Sequence, residues 1–102
     1  MINARIQTMI PEIQRYLAGQ PVDKAWLFGS YSRGEEKQGS DVDILVHYRA
    51  DVPISLFTIS RIVCSLSKIM GCRVDLVEES GLLPFARESV ERDKLLIYER
   101  GC

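Results

Sequence analysis

An apolar stripe at helical spacing sits between two short runs of strand character, and this arrangement most limits how the chain can fold. Within Ile54 to Met70, residues Ile59, Ile62, Val63, Leu66, Ile69 and Met70 line one side of a helix. Ser55 is placed to cap its start and Gly71 to close its end. Before it, Asp41 to Tyr48 reads DVDILVHY, with alternating character at its start and many β-branched residues. After it, Cys72 to Val77 reads CRVDLV, a further strand. Such a helix cannot bury its stripe alone, so it must pack against a sheet.

The remaining segments extend the pattern. Ile6, Met9, Ile10, Ile13 and Leu17 mark an N-terminal helix that ends at Gly19-Gln20-Pro21. Pro11 lies within it, which predicts a kink or a late start. Val22 to Phe28 is a strand. Ser30 to Arg33 forms a short helix, and Gly34 to Ser40 a loop. Leu82 to Glu91 is a short helix with Pro84 in its first turn, and Leu95 to Tyr98 a last strand. The expected fold is α/β (α+β), a small mixed β-sheet flanked by helices. With no repeat or linker, residues 1–102 are expected to form one domain.

Charge and cysteine content exclude several classes. Thirteen basic and fourteen acidic residues give a net charge of −1. Sequence-independent binding to DNA or RNA needs many phosphate contacts. No basic stripe supplies them, so direct nucleic-acid binding is not expected. Cys64, Cys72 and Cys102 form no CxxC pair and are read as reduced thiols, the first two packed among apolar neighbours. The N-terminus lacks a signal-peptide core, and no apolar run approaches the ~20 residues of a membrane span. The expected compartment is the cytoplasm, with no membrane contact.

The candidate chemistry lies in three places. Asp41 and Asp43 share a face if both are extended, and two adjacent carboxylates repel unless a cation lies between them. Mg²⁺ favours carboxylate oxygens together with phosphate oxygens. Alone, this pair is more often a solvated strand end. Gly29 and Ser30 follow the strand Val22 to Phe28, where a glycine lets backbone approach a ligand and amides at a helix start can hold phosphate. A plain strand-to-helix turn also favours these residues. Asp75 is an acid in an otherwise apolar strand, which implies a partner. If its strand lies beside the second, Asp75 can share a face with Asp41 and Asp43. Otherwise it pairs with Arg73 or sits at an exposed edge.

Together these elements resemble a known signature. Gly29-Ser30, the ten residues Tyr31 to Ser40, then Asp41-Val42-Asp43 are similar to the motif of the DNA polymerase β-like nucleotidyltransferases. Within them the whole chain resembles the minimal nucleotidyltransferase (MNT) group. That resemblance implies Mg²⁺, two ions, held by Asp41, Asp43 and Asp75, with Asp75 helping to activate the attacking hydroxyl. It implies ATP or another NTP as substrate, its triphosphate held by Gly29 and Ser30, and release of pyrophosphate. Arg33 either neutralises phosphate or pairs with Glu35 or Glu36, with nothing to choose between them, and His47 reads as structural. The resemblance also implies a HEPN-domain RNase toxin as partner, the MNT protein being an antitoxin that in some cases AMPylates a tyrosine. A second reading is a binding module that neutralises a helical partner by complex formation through Phe85, Leu95 or Ile97. A third, held below both, is a small-molecule nucleotidyltransferase acting as a homodimer.

Overall fold

A computed structural model of the chain describes residues 4–29, 41–78, 81 and 84–100. The elements run α1 (Ala4–Leu17), β1 (Val22–Phe28), β2 (Val42–Tyr48), α2 (Leu56–Met70), β3 (Val74–Glu78), α3 (Pro84–Asp93) and β4 (Leu95–Glu99). The helix expected over Ser30 to Arg33 and the loop after it lie outside the described residues, as does Cys102. The four strands form one sheet in the order β3-β2-β1-β4. β1 pairs antiparallel with β2 and with β4, and β2 pairs parallel with β3. This is the mixed sheet with flanking helices that the pattern implied.

Local chemistry accounts for the element ends. Ser55 caps α2 by accepting a hydrogen bond from the Thr58 amide at 3.2 Å. The helix therefore starts at Leu56 rather than Ile54. Gly71 ends it with φ 67°, ψ 23°, the left-handed cap that glycine adopts without a Cβ penalty, and its N–H donates to Ser67 O. The Arg5 guanidinium donates to Met70 O at 3.1 Å, satisfying a carbonyl the helix cannot. The cap turn delays β3 to Val74, later than the expected Cys72. Pro84 opens α3, where its missing N–H costs nothing. α1 begins early, at Ala4, and runs as one helix through Pro11. Its buried Ile6, Ile13 and Leu17 supply the packing that offsets a lost backbone donor.

The core lies on one face of the sheet. Val22, Ala25 and Leu27 of β1 and Val42, Ile44 and Val46 of β2 meet Ile13 and Leu17 of α1 and Ile62, Leu66 and Met70 of α2. β4 adds Ile97 and Tyr98. Ile97 is thus a core residue and not the exposed apolar side chain the sequence suggested. Cys64 is exposed, because α2 turns position 64 away from its buried stripe, and Cys72 is half-buried against the core. The second face carries Trp26, Asp43, Leu45 and His47. Leu45 and Val90 of α3 are buried outside the main core. Lys94, just after α3, lies 4.4 Å over the Trp26 ring, which places the end of that helix over the second face. Among the described residues no helix is long and apolar enough to cross a membrane.

Candidate active site

The candidate site forms where β1 ends and β2 and β3 begin. The chain reaches it three times, and the pairing brings those arrivals together. Asp43 stands opposite Phe28, the last residue of β1, on one side. On its other side it is in register with Asp75 of β3. In-register residues of neighbouring strands point to the same face about 4.8 Å apart. Asp43 and Asp75 therefore lie side by side on the second face. Asp41 is exposed, two residues earlier, just before the strand begins. The Val42 amide donates to Arg73 O at 2.9 Å and ties the starts of β2 and β3 together.

Burial corrects one expectation. Asp75 is exposed, although its strand neighbours Val74, Leu76 and Val77 are buried or half-buried. The sheet order explains this, since β3 is an edge strand whose second face meets solvent. The acid therefore needs no partner to offset burial. Among the described residues it makes no ion pair with Arg73 or any other side chain. Asp43 is half-buried between its two neighbours.

Gly29 has a role that local reading missed. Its φ is +74°, a backbone shape that residues with a Cβ rarely adopt. A Cβ built there would stand 3.3 Å from Cγ and 3.5 Å from Cβ of Asp43, and would overlap Asp43 Oδ2. The space a side chain would fill is occupied by the carboxylate. Glycine is required here by Asp43 as well as by any ligand. Only the β1–β2 pairing reveals this, since the two residues are distant in sequence.

These features fit a cation bound with a phosphorylated ligand. Two carboxylates in register, with a third two residues away, suit a hard divalent ion. Gly29, with no side chain, lets the Asp43 carboxylate lie against the end of β1. Among the described residues no three carboxylate, imidazole or thiol groups close around one point, so the acids line a face rather than a finished cage. Ser30 and Arg33, the other expected phosphate ligands, lie outside the described residues. His47 is exposed on the same face of β2, two residue pairs from Asp43, and is not part of the acidic group.

Residues 8–97 match the family model of the nucleotidyltransferase domain. The chain belongs to the nucleotidyltransferase family. This nucleotidyltransferase is 41% identical over 71 residues to protein adenylyltransferase MntA of Thermococcus cleftensis, an alignment spanning 70% of each chain. Its fold superposes on a solved structure provisionally described as a minimal nucleotidyltransferase. There the TM-score is 0.79 at 30% identity, covering 93% of this chain and 95% of the other. It also matches a chain in the structure of a tri-AMPylated Shewanella oneidensis HEPN toxin with its MNT antitoxin. That TM-score is 0.65 at 19% identity, covering 91% and 71%, and the likeness there is one of fold. Family and architecture agree, and the Gly-Ser to Asp-x-Asp signature is the part of the sequence that announced both.

Proposed function

We propose that this nucleotidyltransferase is a one-domain Mg²⁺-dependent protein adenylyltransferase that transfers AMP from ATP to a HEPN-domain toxin and so neutralises it in the cytoplasm. The observation that carries the reading is the in-register pair Asp43 and Asp75, with Gly29 shaped around the Asp43 carboxylate. Asp41, Asp43 and Asp75 would hold Mg²⁺, and Gly29, Ser30 and Arg33 the triphosphate. Bound Mg²⁺ would lower the pKa of the nucleophile and neutralise charge on the leaving group. The acceptor hydroxyl oxygen forms a bond to the α-phosphorus while the bond from that phosphorus to the α–β bridging oxygen breaks. Pyrophosphate leaves with that oxygen. The hydroxyl proton passes to Asp75, whose exposure at an edge strand leaves room for an acceptor carried by another protein. The chain's contribution is position and charge, with no covalent intermediate on the enzyme. The names of similar proteins support the acceptor class: one relative is a protein adenylyltransferase, and one structural neighbour is an antitoxin bound to an AMPylated HEPN toxin.

The test is transfer of label from ATP to a co-expressed HEPN partner with Mg²⁺ present. We expect transfer by the native chain and none by the double variant Asp41→Ala with Asp43→Ala. Label transfer by that variant would remove the assigned role of the carboxylates. A second reading, neutralisation by binding, is favoured by the exposed apolar residues Leu56 and Phe57, 81% and 88% accessible, and by Leu95 and Leu96. Under it, the same double variant would still neutralise the toxin.

A further inference from the structure

The end of the sheet away from the carboxylates carries a cavity of about 360 Å³, within the range of small-ligand sites. Three arginines from separate parts of the chain line it: Arg49 after β2, Arg61 in α2 and Arg100 after β4. Gln20 and Thr58 complete its polar wall. We propose that this cavity is a second anion site, taking a phosphate or diphosphate group held by the three guanidiniums.

The arginines differ in how far they are already committed. Arg61 donates to Gln20 Oε1 at 3.2 Å, and among the described residues it meets no carboxylate. Its fork remains largely available to a planar or tetrahedral anion. Arg49 pairs with Asp51 through two hydrogen bonds of 3.0 and 2.7 Å. Both groups are exposed, and such a pair contributes little, so it exchanges readily for a more highly charged partner. Arg100 donates to Gln20 O at 2.6 Å and Val22 O at 3.1 Å, which pins the guanidinium beside the cavity. Its Nε is buried without a hydrogen-bond acceptor, though it stands 3.5 Å from Asp23 Oδ1.

The backbone adds to this charge. Thr58, on the cavity wall, lies in the first turn of α2, a helix of 15 residues with no acidic side chain in that turn. The positive end of the helix therefore faces the arginines without an internal counter-charge. Three guanidiniums against Asp23 and Asp51 leave an excess of one positive charge, before the helix end is counted. An anion offsets that excess, and a neutral ligand does not.

The experiment is a ¹⁵N-resolved NMR titration of the full chain with inorganic phosphate, set against sodium chloride of matched ionic strength. Shifts should centre on Gln20, Thr58, Arg61 and Arg100 and should saturate with phosphate only. Arg61→Ala should weaken binding roughly tenfold to a hundredfold, the loss expected for a charged hydrogen bond. Arg61→Lys should fall between, since it keeps charge but loses the fork. Arg61 makes one exposed polar contact, so neither change threatens the fold. Equal shifts in chloride, shifts confined to Gly29 and Asp43, or unchanged binding in Arg61→Ala would each overturn the proposal. The readout needs no ATP and no partner, so it is independent of the transfer reaction.

Discussion

Replacing Gly29 by alanine tests whether the glycine serves the backbone alone or the Asp43 carboxylate too. The backbone contribution is the cost of a left-handed conformation for an L-residue, about 1–2 kcal/mol. Gly71 provides an internal control, because its φ is +67° and among the described residues its added Cβ would meet only Arg5 Nη2, at 3.0 Å. That guanidinium is the flexible end of a long side chain and can move. Gly71→Ala should therefore cost the backbone contribution, which lowers Tm by roughly 4–16 °C for a domain of this size, plus whatever is lost from the Arg5–Met70 O hydrogen bond. Gly29→Ala should cost the same backbone contribution and must also displace Asp43 Oδ2. A catalytic group moved by about 1 Å loses on the order of 10²-fold in rate. Urea denaturation of both variants, with label transfer from ATP measured alongside, separates the two effects. We expect both to be destabilised and only Gly29→Ala to lose transfer. Combining Gly29→Ala with Asp43→Ala should recover stability beyond additivity, because the colliding carboxylate is gone. The reasoning fails if Gly29→Ala transfers AMP as fast as Gly71→Ala, or if the double variant shows no coupling.

Ser55→Ala removes the acceptor for the Thr58 amide and should lower stability by about 1 kcal/mol in urea denaturation, with transfer unchanged. Asp75→Asn should leave stability within about 0.5 kcal/mol, because the side chain is exposed and unpaired among described residues, yet should reduce label transfer. Loss of folding instead would show that the acid has a structural role. Burial, reinforced by the Glu78 carboxylate, raises the Tyr48 phenol above its ordinary value of 10.0. As pH rises past about 10 the unfolded chain loses this proton first, so the native state binds more protons and stability falls until the folded pKa is passed. Tyr48→Phe should flatten that alkaline decline in the urea midpoint, and an unchanged slope would refute the assignment.

The features legible in sequence were those written within a turn or two of chain. β1 runs from Val22 to Phe28, as the apolar run between Pro21 and Gly29 implied. Ser55 and Gly71 cap α2 as their chemistry suggested, because a cap is decided by the residue and its next few neighbours. What was not legible depends on sheet order. Asp75 reads as a buried acid because Val74 and Leu76 flank it, and only the edge position of β3 opens its face to solvent. Ile97 reads as exposed at the end of the chain, yet pairing with β1 carries β4 into the core. The supposition that β3 lies beside β2 was the step on which the acidic site depended, and the register Asp43 to Asp75 bears it out. The contact between Gly29 and Asp43 has no local signature at all.

Composition concealed a further feature. A net charge of −1 with no basic run argues against a polynucleotide, and that argument concerns a stripe of many cations. It does not bear on three arginines, at positions 49, 61 and 100, that gather only when β2, α2 and β4 are in place. The antiparallel pairing of β1 with β2 sends acids to one end of the sheet and these cations to the other. β2 has seven residues, so at about 3.3 Å per residue the two ends lie roughly 20 Å apart. That is about two and a half Debye lengths in physiological salt. An anion among the arginines therefore cannot influence a triphosphate at Asp43 by charge alone. Any coupling between them has to pass through β1 and β2, which run from one site to the other. The same separation makes Arg61 and Asp43 independent sites, whose single-variant effects on binding and stability should add.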